Sequence, residues 1–520
     1  VKKPGTFALR MSALMAAAFF LLSTCIWAQE GKPAAQPGDA SLQELDSQVR
    51  ELRTVIEQMR AENAQSRAEM RELRQELQAT RQLLTPPAAS ANLEPSSSAA
   101  AAAASPTADL GSRIQKLEES TQLLGSKIDE QYQTKVETAG KYRARLSGIV
   151  LMNAFRNVGT SDNLDIPDYA QPPVMPGASQ ASFGATLRQT EIGLEIFGPT
   201  LAGAKSSANV VFDFAGGFPA TNNGVTFGIA RMQTASLRLD WERTSVIAGQ
   251  DSLFFSPLSP TSFASLATPA FAYAGNLWGW TPQLRIEHRF DLPNQQTLTL
   301  QGGILDNLDW EFPGNSFTRS ATAGESTGQP AYAMRTAWSR PAFDHPLTFG
   351  VAAYYGRQDW AFNRYVDAWA GMADWQIPLA RRLSLSGEFY RGRGVGGLGG
   401  AIGQTILWGG DPSDPNTPIH GIDSAGGWSQ LKLQLTPKLE INGVYAEDNA
   451  FASHIRGFST DADNFGNPIL GRNRGALGNL VYRPRSDLLL SAEFRRLHTF
   501  PVFDSASVTN QLNLSMGILF

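Results

Sequence analysis

Cysteine is nearly absent: Cys25 is the only one in 520 residues. It lies in an apolar stretch from Met11 to Trp27 that follows Lys2, Lys3 and Arg10, and Ile26-Trp27-Ala28 before Gln29 fits a signal-peptidase site. Residues 1–28 therefore read as a secretory signal, and cleavage after Ala28 leaves no thiol to mispair in an oxidising periplasm. Lipid attachment at Cys25 is set aside, because Thr24 is a poor residue before a lipidated cysteine. Beyond Trp27 there is no long hydrophobic run, so no transmembrane helix is expected. A cationic excess is also missing; the net charge of −4 gives no reason to expect a nucleic-acid partner. Histidine is scarce: His288, His345, His420, His454 and His498 are the whole set, and none sits in a recognisable nucleophile motif. No catalytic residue, metal ligand or cofactor is expected, and an outer-membrane hydrolase is the least favoured reading.

What is present falls into two periodicities. From Leu42 to Leu84 the apolar residues keep a heptad: Leu42, Val49, Ile56, Met70, Leu77 and Leu84 take one core position, and Leu45, Leu52, Met59 and Leu73 the other. A continuous apolar seam needs a partner helix, and Asn63 and Ser66 interrupt it where a buried polar pair can fix register and chain number. Residues 29–41 form a flexible N-terminus, and 85–109 a Pro-, Ser- and Ala-rich spacer. A shorter heptad through Leu110, Ile114, Leu117, Leu124 and Ile128 gives a second coiled segment over 110–140.

After Lys141 the period changes to two, and residues 141–520 read as about sixteen antiparallel strands of a transmembrane β-barrel. Gln511 to Phe520 sets Leu512, Leu514, Met516, Ile518 and Phe520 against Gln511, Asn513, Ser515 and Gly517, like the closing strand of an outer-membrane barrel. Leu284, Ile286 and Phe290 alternate with Gln283, Arg285, Glu287 and Arg289, with His288 the exception on the apolar face. An arginine on the lipid face at mid-bilayer costs about 2–4 kcal/mol, so the charged rows belong in a hydrated lumen. Trp241, Trp338, Trp375 and Trp428 lie near predicted strand ends, where aromatic belts form. Tight turns at 291–295, 340–346, 378–381, 436–437 and 484–485 alternate with long connections at 156–182, 251–281, 306–330, 392–426 and 448–473. Short periplasmic turns and long outer loops show this asymmetry, and an even strand count puts both barrel ends, with the coiled segments, in the periplasm.

Four features together resemble a known family: the heptads of Leu42 to Leu84, Y-R-A-R-L-S-G at Tyr142 to Gly148, A-G-Q-D-S-L-F at Ala248 to Phe254, and the strand ending at Phe520. They are similar to the DcaP-like trimeric porins with an N-terminal periplasmic coiled coil and, more distantly, to the phosphate-selective porins O and P. The resemblance implies a sixteen-stranded homotrimer that passes small, often anionic, hydrophilic solutes. The lysine ladder of the phosphate-selective type does not carry over, since the barrel uses arginine instead.

The lumen is expected to display Arg238, Arg285, Arg289, Arg335 and Arg495, with Glu287, Glu388 and Glu493 among the counter-charges. Arginine offers a planar fork for carboxylate or phosphate, and facing rows of opposite sign make a transverse field; a structural salt bridge between strands is the competing role for each residue. The connection 251–281 carries Phe254, Phe255, Phe263, Phe271, Tyr273, Trp278 and Trp280, more apolar surface than a free outer loop leaves in water. It either folds into the lumen or is buried at a contact between copies. Gly392 to Gly397 matches G-x-G-x-x-G without a βαβ unit and reads as a flexible outer loop. Asp461, Asp463 and Gly466 imitate a calcium loop, but Phe465 and Arg472 stand where oxygen donors are needed, leaving an acidic surface turn. The leading function is a passive diffusion channel in the bacterial outer membrane. The alternative is a structural tether in which the barrel, set in outer-membrane lipid, anchors a stalk that reaches toward peptidoglycan.

Overall fold

A computed structural model describes residues 135–137, 142–173, 175, 177, 179–218, 228–309, 318–458 and 468–520. The signal, both spacers and the heptads of Leu42 to Leu84 and Leu110 to Ile128 lie outside the described residues, as do Asp461, Asp463 and Gly466. In chain order the strand segments are β1 Lys135–Glu137, β2 Arg143–Val158, β3 Thr160–Ser161, β4 Ala170–Gln171, β5 Ala181–Thr186, β6 Glu191–Leu201, β7 Ala204–Asp213, β8 Arg231–Asp240, β9 Thr244–Ser252, β10 Trp280–Leu292 and β11 Gln296–Leu305. They continue as β12 Ala331–Ala342, β13 His345–Asp359, β14 Tyr365–Ala380, β15 Leu383–Arg393, β16 Ile406–Trp408, β17 Ile419–Gly421, β18 Asp423–Thr436, β19 Leu439–Ala450, β20 Leu470–Arg485, β21 Leu488–Pro501 and β22 Ser507–Leu519.

Every wall strand pairs antiparallel with its chain neighbours, and β22 returns to pair with β2 from Ile149↔Leu519 to Val158↔Asn510, closing the ring. The last backbone joins the closure: Gly148 N–H donates to Phe520 O at 3.0 Å and Phe520 N–H to Gly148 O at 3.1 Å. The wall has sixteen strands because β5 and β6 both lie along β2 and act as one strand broken at 187–190. The break turns Arg188 to Asp165 (Nε to Oδ2, 2.8 Å) and Gln189 toward the lumen. Inside the stretch read as a second coiled segment, β1 pairs with Arg143 to Arg145 of β2. No heptad position follows Ile128, so nothing in the pattern holds that stretch helical.

Period-two alternation explains the two faces. On β22, Gln511, Asn513 and Ser515 are buried while Leu512, Leu514, Met516 and Ile518 are exposed, the inverse of a soluble sheet. The apolar exterior continues around the wall through Leu237, Ile286, Met334, Val351, Phe389 and Leu431. His288 stays on that face, bonded through Nδ1 to Thr244 Oγ1 at 2.8 Å. Trp338 and Phe349 stack outside near the short-turn end, with Phe349 in register with Trp375, as an aromatic belt requires. Trp428 does not join it; it is buried and faces inward. At one end the turns are tight. Phe343-Asp344 takes left-handed conformations at both residues (φ 52 and 66), the two-residue hairpin geometry that matches strand twist.

Candidate functional site: the lumen and its inward loop

The connection between β9 and β10 folds into the barrel. Its polar stations run around the wall in order. Glu388 of β15 accepts from Ser256 Oγ at 2.5 Å and Leu258 N at 2.7 Å, and Gln430 of β18 accepts from Thr261 N at 2.7 Å. Glu493 of β21 accepts from Ser262 Oγ at 2.6 Å, and Asn153 of β2 donates to Phe263 O at 2.7 Å. Gln189 in the broken strand both donates to Ala264 O and accepts from Leu266 N, and Arg231 of β8 donates to Ala267 O. These bonds give buried polar wall groups their partners, which a lumen full of loop must do.

Two apolar clusters seat the aromatic residues of the loop. Leu253, Phe254, Phe255 and Leu277 pack on Leu305, Ala331, Ala333, Tyr354, Met372 and Tyr390, the inward faces of β11 to β15. Phe271 and Ala274 pack on Trp428, Val444, Ala446, Leu477 and Leu497 of β18 to β21. At Gly275 (φ 98) loop and wall backbones meet so closely that a Cβ would stand 2.4 Å from Gly427 N. Burial is thus inside the same chain and not at a contact between copies. The glycine-rich run at 392–397 also differs from a free outer loop. Gly396–Leu398 forms a short 3-10 turn with Leu398 buried, and Leu398 O accepts from Trp278 N at 3.0 Å. The sequence hid this because its apolar anchors, Val395 and Leu398, are isolated among glycines.

A space of about 310 Å3 lies on the short-turn side of the loop against β2, β6, β7, β8 and β9. Its lining includes Ser147, Glu195, Asn209, Ser236, Arg238 and Asp251. A belt of charges starts at this wall. Arg238 Nε bonds Asp240 at 2.8 Å and its Nη2 lies 3.9 Å from Glu287; Arg285 holds Asp251 (2.8 Å) and Glu287 (2.9 Å). Gln301 bridges Glu287 (3.0 Å) to Arg335 (3.0 Å), which grips Asp374 through Nε at 2.9 Å and Nη2 at 2.7 Å.

All eight expected lumen residues point inward by strand parity, but the loop divides them. Arg238, Arg285, Glu287 and Arg335 meet in the belt, where the Arg238 side chain keeps 40% of its exposure against 10% for Arg285. Arg289 is exposed at the short-turn mouth, where its guanidinium donates to Glu242 O at 3.2 Å. Arg495, Glu493 and Glu388 are displaced from solute contact. Arg495 and Glu493 form a buried pair under the loop (2.8 Å), and Glu388 is spent on Ser256 and Leu258. Asp251, Gln301 and Asp374 were missed. Asp374 shares its face with Val366, Ala368, Ala370 and Met372, so alternation gave no polar cue, and Asp251 had been assigned to the loop.

His420, Asp423 and His454 bring three potential ligand atoms within 4.8 Å. Arg391 and Arg393 already hold the two Asp423 oxygens at 3.2 and 3.0 Å, however, and two guanidinium charges beside the donors oppose a cation.

A closed sixteen-stranded antiparallel barrel, apolar outside and polar inside, has the two faces of a transmembrane barrel, and the solved structures it resembles include outer-membrane proteins. The outer membrane channel DcaP of Acinetobacter baumannii superposes with a TM-score of 0.55 at 14% identity, over 74% of this chain and 100% of that one. The anion-selective porin from Comamonas acidovorans and OprB of Pseudomonas putida align at a TM-score of 0.45 each, with 11% and 13% identity. They cover 73% and 72% of this chain and 100% and 94% of their own. No protein-family model and no curated protein matches the chain in sequence. The DcaP likeness establishes the fold.

Proposed function

We propose that this chain is an outer-membrane porin, a passive diffusion channel for small hydrophilic solutes with a preference for anions. The observation that carries the reading is the polar space beside the inward loop, faced by the open Arg238–Asp240 pair. Fixed charges of both signs in a narrowed lumen give weak, multiple contacts, which let a polar solute enter and leave. The anion preference rests on the short-turn mouth. Arg143, Arg145, Lys205, Arg289, Lys432 and Arg483 stand there on the lumen-facing side, against Glu195, Asp240 and Glu440. A cationic mouth raises the local concentration of anions. The heptad seam from Leu42 to Leu84 supports self-association, and the resemblance to the DcaP-like trimeric porins makes the assembly a homotrimer with its stalk in the periplasm. Planar-bilayer recording of the purified full chain tests the channel: ohmic steps are expected, with a reversal potential in a salt gradient on the anion side. Insertion without current would leave only the tether reading. A monomer mass in detergent would overturn the trimer.

A further inference from the structure

Outside the barrel, near the long-loop end, the apolar wall gives way to guanidinium groups. On the outer face of β20 stand Arg472 and Arg474, and on β21 stand Arg496, His498 and Phe500. Register sets them side by side: Arg474 opposite His498, Arg472 opposite Phe500, and Ala476 opposite Arg496. Phe500 lies beneath two of the cations, 4.2 Å from Arg472 Cζ and 5.0 Å from Arg474 Cζ. Arg474 Nη2 is 3.2 Å from His498 Nδ1. Among the described residues none of the three arginines has a carboxylate within ion-pair distance, although Glu447 is in register with Arg474. That differs from the lumen, where Arg238, Arg285, Arg335 and Arg495 all hold an acid. Arg472 Nε, moreover, is buried without a partner. Toward the short-turn end the same strands continue as exposed Leu480, Tyr482, Leu490 and Phe494, so the arginines stand at the border of the lipid band.

We propose that Arg472, Arg474 and Arg496 form a docking site for the phosphorylated glycolipid headgroups of the leaflet on the long-loop side. The inference rests on the proposed outer-membrane orientation. Three uncompensated forks at the edge of an apolar wall meet the chemistry of a lipid phosphate. Guanidinium binds phosphate bidentately, the flat Phe500 ring keeps two forks aligned by cation–π contact, and the acyl chains below find the apolar strands already facing them.

The test uses the full chain in detergent, delipidated and then exposed to phosphatidylcholine vesicles containing either bisphosphorylated lipid A or its dephosphorylated form. Retained lipid is counted by native mass spectrometry. Wild type is expected to retain the bisphosphorylated form, and Arg472→Ser/Arg474→Ser/Arg496→Ser to lose roughly tenfold or more of it, with bilayer conductance unchanged. Heat-modifiable mobility on gels verifies that the variant is folded, and Arg496→Ser alone serves if the triple variant is not. Equal retention by variant and wild type, or retention that ignores the phosphates, overturns the proposal. So does a fall in oligomer mass in the lipid-free variant, which would make the patch a contact between copies. Normal current without lipid retention sinks this inference alone, whereas retention without current sinks the channel reading and leaves the docking site standing.

Discussion

Asp162, in the long connection between β3 and β4, is held between opposing effects. The backbone N–H groups of Asp168 and Tyr169 donate to its Oδ1 at 3.0 Å each, yet burial pushes its carboxyl up to about 6. A carboxyl raised in the folded state has no effect on stability at acid pH, where both states are protonated. It costs stability progressively as the pH climbs from the unfolded value through 6. Asp162→Asn keeps the acceptor and removes the charge. It is expected to flatten the fall in thermal stability between pH 4 and 8 and to gain on the order of 1 kcal/mol at the upper end. A variant whose unfolding temperature follows the wild-type pH curve would refute the assignment. Within the lumen, Arg238→Gln is expected to lower the anion-to-cation permeability ratio roughly twofold in reversal-potential measurements, since Arg238 is the most open guanidinium of the belt. Parity put Arg238 and Arg285 on the inward face, because each lies between two large apolar neighbours, Leu237 and Leu239 for the first and Leu284 and Ile286 for the second. It could not place Glu493 under a loop whose Ser262 is 231 residues away.

The inward loop shows where a sequence stops being informative. Its aromatic content announced burial, but two destinations were equally apolar. The choice was settled by complementary groups scattered over six strands, none of which carries a local signature. Glu388→Ala is expected to leave the Leu258 N–H unpaired, to destabilise the barrel by about 1–3 kcal/mol in urea unfolding, and to give larger, noisier single-channel steps. Unchanged current and stability would show that Glu388 does not fasten the loop. At Gly275 an added methyl meets the backbones of Gly427 and Glu447, so Gly275→Ala should raise conductance in the same way without altering any charge.

The barrel as a whole was the most legible level. A period of two with one apolar face survives small errors of boundary, and the expected sixteen antiparallel strands are those of the wall. The broken strand at 187–190 and the short β1 escaped, since each is set by a distant partner and not by its own pattern. The exterior makes its own prediction. Leu514→Arg on the outer face of β22 should cost about 2–4 kcal/mol in lipid-bilayer unfolding, and far less in small detergent micelles that let the side chain reach water. Equal costs in both would mean that this face does not meet hydrocarbon.

The apolar residues of the loop lean on β11 to β21, whereas its bonds to β2, the broken strand and β8 are polar, and below them the arc from β2 to β9 is lined by serine, asparagine and paired charges. Under the proposed channel function, the loop's apolar seat and the path for solute therefore fall on different arcs of one circumference. Substitutions along the wet arc would then retune passage without loosening the dry seat of the loop.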